Sequence, residues 1–113
     1  MNRIRSTLMD LLALPGPSTG EGRVARYVTD RLAALGIPTH RDEAGNVLAE
    51  FTVGEGPVVL LSAHMDTVED FAPGRTIIRS GDTIRSSAGI LGADDRAGIA
   101  ILLETLHRVS FSG

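Results

Sequence analysis

The 113-residue chain has no cysteine, which excludes disulfides and thiolate metal sites alike. No apolar run approaches the roughly 20 residues that a bilayer-crossing helix needs. The charge balance, 11 basic against 14 acidic residues for a net −3, gives no basic surface on which to expect nucleic acid. An export signal is also not expected. The opening residues are basic and then leucine-rich, but Asp10 interrupts the apolar stretch, and Ile4, Leu8, Leu11 and Leu12 share one helical face. The expectation is a cytoplasmic protein with no membrane partner. With 42% hydrophobic residues, it has material for one modest α/β domain.

The helical stretches are marked by their breaks. The first helix is expected to stop at Leu14-Pro15-Gly16-Pro17. Ser18 and Glu21 then stand at capping-box spacing, ahead of a stripe of Val24, Tyr27, Val28 and Leu32, and Gly36 with Pro38 closes the second helix. Short strands follow. Thr39 to Asp42 reads as an edge strand, Ala44-Gly45-Asn46 as a turn, and Val47 to Val53 as a strand with alternate residues on one face. His40 is expected to be exposed on that edge. Thr76 to Arg79 and Thr83 to Ser86 flank Ser80-Gly81-Asp82 as a hairpin. The last helix, from Asp94 or Asp95 to Val109, carries Ile99, Ile101, Leu102, Leu103 and Leu106 almost all round, as for a helix pressed between layers. Ala97, Gly98 and Ala100 keep its first turns narrow, for close approach to a sheet.

Two stretches carry the chemistry. Val58-Val59-Leu60-Leu61 is an unbroken apolar run that suits a strand covered on both faces. It ends in Ser62-Ala63-His64-Met65-Asp66-Thr67-Val68, where His64 and Asp66 point to the same side of an extended backbone. An imidazole there can ligate a metal while the carboxylate fixes its tautomer. The second stretch, Leu91-Gly92-Ala93-Asp94-Asp95-Arg96-Ala97-Gly98-Ile99-Ala100, sets two acids at a helix N-terminus, whose dipole favours their ionised form. Glu69 and Asp70 read as a solvated acidic pair, and His107 as a partner of the last helix's C-terminal dipole, not a ligand.

The words SAHMDTV and LGADDRAGIA, in this order, resemble the peptidase T-like branch of the co-catalytic zinc hydrolases, a superfamily that includes carboxypeptidase G and acetylornithine deacetylase. The resemblance runs from about Ile4 to Leu106. It implies a mixed, largely parallel sheet flanked by helices, and two zinc ions in the complete enzyme, with cobalt or manganese as alternatives. It also implies His64 as a terminal ligand, Asp94 as the bridging carboxylate and Asp66 as the catalytic-site partner that orients His64. Relatives often have a cis peptide after the bridging acid, here Asp94-Asp95, and a lysine where this chain has Arg96, for which a charge-balancing role is expected. The implied substrate is a short peptide. The span from Asp66 to Asp94 leaves no room for the extra domain that a related group of zinc aminopeptidases inserts there.

The resembling enzymes also use a Glu-Glu pair, one glutamate as general base and the other as ligand, followed by a further acid and a distant histidine. No Glu-Glu occurs in these 113 residues. The expectation is therefore the N-terminal portion of a metallopeptidase catalytic domain, residues 1–113, truncated after the helix that follows the bridging Asp and inactive alone. The alternatives are a fragment of an N-acyl amino acid deacylase and a non-catalytic module retaining a relic half-site. An uncovered sheet edge would then favour a homo-oligomer.

Overall fold

The computed structural model describes residues 2–14, 22–67 and 69–112. The Pro15-Gly16-Pro17 break, the Ser18–Glu21 capping box and Val68 lie outside the described residues. Helix α1 spans Arg3–Leu12 and is capped by Asn2, whose side-chain oxygen accepts the Ile4 N–H at 2.9 Å. Helix α2 spans Gly22–Ala34. It ends in a Schellman motif: Gly36, at φ 77°, donates to Ala33 O, and Ile37 donates to Leu32 O, both at 2.9 Å. The two residues that this motif brings together, Leu32 and Ile37, are both buried.

Strand β1 (Thr39–Arg41) pairs antiparallel with β2 (Val47–Ala49), Thr39 opposite Ala49 and Arg41 opposite Val47. The Asp42 carboxylate closes their loop by accepting from the Asn46 backbone and side-chain nitrogens at 2.9 and 2.8 Å. Strands β3 (Ile77–Ser80) and β4 (Thr83–Ser86) form a second hairpin. Its two-residue loop begins with Gly81 at φ 60°, where a type II′ turn places glycine. Helix α3 spans Ala93–Ser112, with Asp94 and Asp95 outside helical geometry.

The core lies where the three helices meet, built from Leu11, Val24, Val28, Leu32, Ile37, Ile99, Ala100 and Leu103. Leu8 of α1 and Tyr27 of α2 pack against it, as their helical faces require. Helices α1 and α3 are also joined at their surface by Glu104. It accepts from Arg3 Nε and Nη2 at 2.9 and 2.8 Å and from Arg108 Nε at 2.8 Å.

The sheet departs from expectation. Among the described residues, pairing is confined to the two antiparallel hairpins, and the largely parallel sheet is not formed. Residues 58–63 belong to neither sheet, and Val58 is 98% exposed. Apolar character sets what a strand would bury, but strand pairing needs a neighbour with free backbone groups alongside. The β1–β2 hairpin pairs internally and stops at Ala49, so the expected strand to Val53 is cut short. For the same reason α3 buries one face only: Ile99 and Leu103 are covered, while Ile101 is 58% exposed because no sheet layer backs it. Among the described residues no helix is long and apolar enough to cross a membrane.

Candidate metal centre

His64 and Asp66, two residues apart, bring their side chains together. His64 Nδ1 lies 3.0 Å from Asp66 Oδ1 and 3.1 Å from the Asp66 carbonyl oxygen. Its Nε2 lies 2.9 Å from Asp94 Oδ1, thirty positions along the chain. The imidazole is thus held between two carboxylates. Hydrogen bonding to Asp94 raises its pKa above the ordinary value, with a smaller contribution from Asp66 in the same direction, against partial desolvation. The three side chains remain open to solvent, His64 and Asp66 about half and Asp94 at 88%.

The two consecutive acids have different tasks. Asp95 turns back and accepts the Gly98 N–H at 2.9 Å, capping the helix proper, while Asp94 faces His64. The peptide bond between them is cis, as the resemblance implied. Gly98 leaves room for this cap, a role the sequence did not suggest: a Cβ there would clash with the Asp95 carboxylate and turn it away. Its small size serves the cap.

Two arginines hold the preceding loop. Arg75 Nη2 donates to Leu12 O at 2.6 Å and to Leu91 O at 2.9 Å, tying the C-terminus of α1 to the approach to Asp94. Arg96, fully buried, donates through Nη1 to Leu11 O and to Leu14 O. Both therefore satisfy carbonyls at the end of α1, where cations also favour the helix dipole. Burial lowers the Arg96 pKa first, and the neighbouring Arg75 charge lowers it further. Their guanidinium carbons lie 3.6 Å (Arg75) and 6.0 Å (Arg96) from the Phe71 ring centroid. Gly92, at φ 89°, is required here, because a Cβ would meet Phe71 Cε1 at 2.9 Å. Neither Arg75 nor Phe71 lies in a recognisable motif.

Among the hydrogen-bond partners of His64 are Asp66 and Asp94, but neither His40 nor His107. Glu69 and Asp70 are exposed, as a solvated pair would be. The donor set, one imidazole nitrogen and a carboxylate, suits zinc, cobalt or manganese. Among the described residues, no group of three or more His, Asp or Glu side chains could hold a metal ion. His64 and Asp94 would supply at most two ligands to such an ion.

No family model and no solved structure matches the chain. Curated sequences do. A protein of Pyrobaculum aerophilum that carries the name LysW-lysine/LysW-ornithine hydrolase is 36% identical over 97 residues, 86% of this chain and 26% of its own length. One of the same name from Pyrococcus abyssi is 34% identical over 68 residues, 60% of this chain and 20% of its own. The cytosol non-specific dipeptidase of Escherichia coli is 32% identical over 111 residues, 85% of this chain and 22% of its own. The chain is similar to hydrolases. The matches support the peptidase-like superfamily that the two motifs resemble, without singling out one member. The chain spans about a quarter or less of the length of these relatives.

Proposed function

We propose that the chain carries one half of the co-catalytic centre of a zinc-dependent exopeptidase, of tripeptide aminopeptidase type, acting on short peptides in the cytoplasm. The observation that carries this reading is His64 seated between Asp66 and Asp94 at 3.0 and 2.9 Å. His64 Nε2 and the Asp94 carboxylate would hold divalent metal, with Asp94 able to bridge two ions through its two oxygens. Such ions supply an activated water and a polarised scissile carbonyl. The chain's own residues supply orientation. Asp66 would accept the Nδ1–H of His64, which leaves Nε2 to ligate metal once the proton it shares with Asp94 is displaced. Asp95 and Gly98 anchor the start of α3, Arg75 holds the preceding loop against α1, and Arg96 ties α3 itself to the end of α1. The Glu-Glu pair that would supply general base and further ligand is absent from these residues, so we expect no turnover from them alone.

The relatives named for LysW-lysine and LysW-ornithine favour a second reading of the same half-site, amide hydrolysis on an amino-acid derivative in the manner of an N-acyl amino acid deacylase. The dipeptidase similarity favours the peptide bond. Both readings share the metal.

Zinc titration by calorimetry tests that common ground. Binding tighter than about 1 µM, roughly −8 kcal/mol, is expected, and it is lost in His64→Ala and in Asp94→Ala. Asp66→Asn retains binding weakened about 10–100-fold. Binding indifferent to all three substitutions would remove the metal centre from consideration.

A further inference from the structure

We propose that the cavity between the three helices binds a small carboxylate carrying a short apolar group, at a site separate from His64. The cavity measures about 310 Å³ and is lined by Arg3 of α1, Arg31 and Ala34 of α2, Leu35 just beyond it, and Leu103 and His107 of α3. That volume stands at the lower end of the range for small-molecule pockets. Its walls are helices packed on one shared core. It has no lining residue in common with the groove that holds His64 and Asp66, so this inference does not rest on the metal reading.

The ligand is argued from the guanidinium groups. Arg3 turns Nε and Nη2 to the two oxygens of Glu104, at 2.9 and 2.8 Å. Nε and Nη2 form the side-on edge of a guanidinium, whose two parallel N–H groups match a planar carboxylate. Arg31 uses its other nitrogen: Nη1 donates to Thr7 Oγ1 at 2.9 Å and to Tyr27 Oη at 2.6 Å. Among the described residues, the Nε and Nη2 edge of Arg31 therefore has no acceptor, and it is the same edge with which Arg3 holds a carboxylate. The carboxylates that touch these groups are engaged elsewhere. Glu104 lies between Arg3 and Arg108, and Asp10 accepts from Tyr27 Oη at 2.9 Å. Three arginines thus stand against two acids, which leaves the cavity wall positive. The remaining lining is apolar: Leu103 is 1% exposed, with Ala34 and Leu35 beside it. An oxyanion without an apolar part, such as inorganic phosphate, would meet Arg31 and leave this wall uncovered.

Titration of the isotope-labelled chain with isovalerate, followed by amide chemical shifts, tests the site. Saturable shifts at Leu35, Leu103 and His107 are expected, with a dissociation constant of roughly 1 mM for a ligand of this size. Isovaleramide, similar in shape but uncharged, and acetate, which lacks the apolar group, should each bind about tenfold more weakly. Ala34→Glu sets a carboxylate at an exposed position on the cavity wall, so it should abolish binding while the shifts of the core stay in place. Arg31→Lys keeps the charge but loses the fork and should weaken binding about tenfold. Arg79→Gln removes an exposed cation from β3, outside the lining, and should leave binding unchanged. Binding that survives Ala34→Glu, or shifts that never saturate, would overturn the site. Inorganic phosphate or isovaleramide binding as tightly as isovalerate would overturn the choice of ligand.

Discussion

Asp95 accepts the Gly98 N–H at 2.9 Å, while its neighbour Asp94 turns its carboxylate to His64, so the two acids act on different partners. The cap and the glycine are coupled, because a Cβ at position 98 would occupy the space of the Asp95 carboxylate. Gly98→Ala gains about 1 kcal/mol of helix propensity and gives up a cap worth a similar amount, so its net effect on stability is small. The informative measurement is a double-mutant cycle by urea denaturation. Asp95→Ala should cost about 1 kcal/mol in the wild-type background and near zero in the Gly98→Ala background, a coupling of about 1 kcal/mol. Equal costs in both backgrounds would mean the cap does not depend on the glycine. The sequence showed that a cap was to be expected from one of the two acids. Which one it was depended on backbone torsions at Asp94 and Asp95 that no residue pattern specifies.

Helices α1 and α3 meet at Glu104, a carboxylate only 8% exposed that accepts from two arginines. The Arg3 hydrogen bonds, then those of Arg108, hold its pKa at about 2, against an ordinary 4.5. Because the folded-state value is depressed, the stabilisation is fully present above pH 4.5 and disappears as the pH falls from there towards 2. Acid unfolding followed by circular dichroism should therefore show a loss of stability in that window that Glu104→Gln lacks. Parallel acid profiles for the two proteins would refute the assignment. Nothing in the sequence linked Arg3 to Glu104, since the pair is 101 positions apart. The helices themselves were legible, α1 and α2 from period and breaks, because a helix satisfies its backbone within its own sequence. The strands were read less well. The β3–β4 hairpin was read from its turn residues, and β1 and β2 as strands on either side of a turn, but the strand expected at Val47–Val53 stops at Ala49.

The radius of gyration is 14.9 Å, above the about 13 Å of a compact chain of this length, in keeping with apolar surface left outside the helical core. Leu103 and Leu60 are chemically the same and energetically unlike: one is 1% and the other 87% exposed. Leu103→Ala is expected to cost about 2–5 kcal/mol. Leu60→Ala should stay within about 0.5 kcal/mol. Thermal denaturation compares them directly, and a large cost at Leu60 would mean that the segment is covered in the monomer.

The sequence by itself determined the helices, the hairpin turns, and the pairing of His64 with Asp66. Each of these rests on local spacing: periodicity, turn torsions, or two residues on one side of an extended backbone. It also showed that Asp94 or Asp95 would stand at a helix start. Only the tertiary structure decided that Asp94 reaches His64, that Arg75 and Arg96 hold the end of α1, and that Val58–Leu61 lies exposed. These outcomes depend on which distant segments meet. Local pattern specifies what a segment can bury or bind, while the presence of a partner beside it is a property of the whole fold.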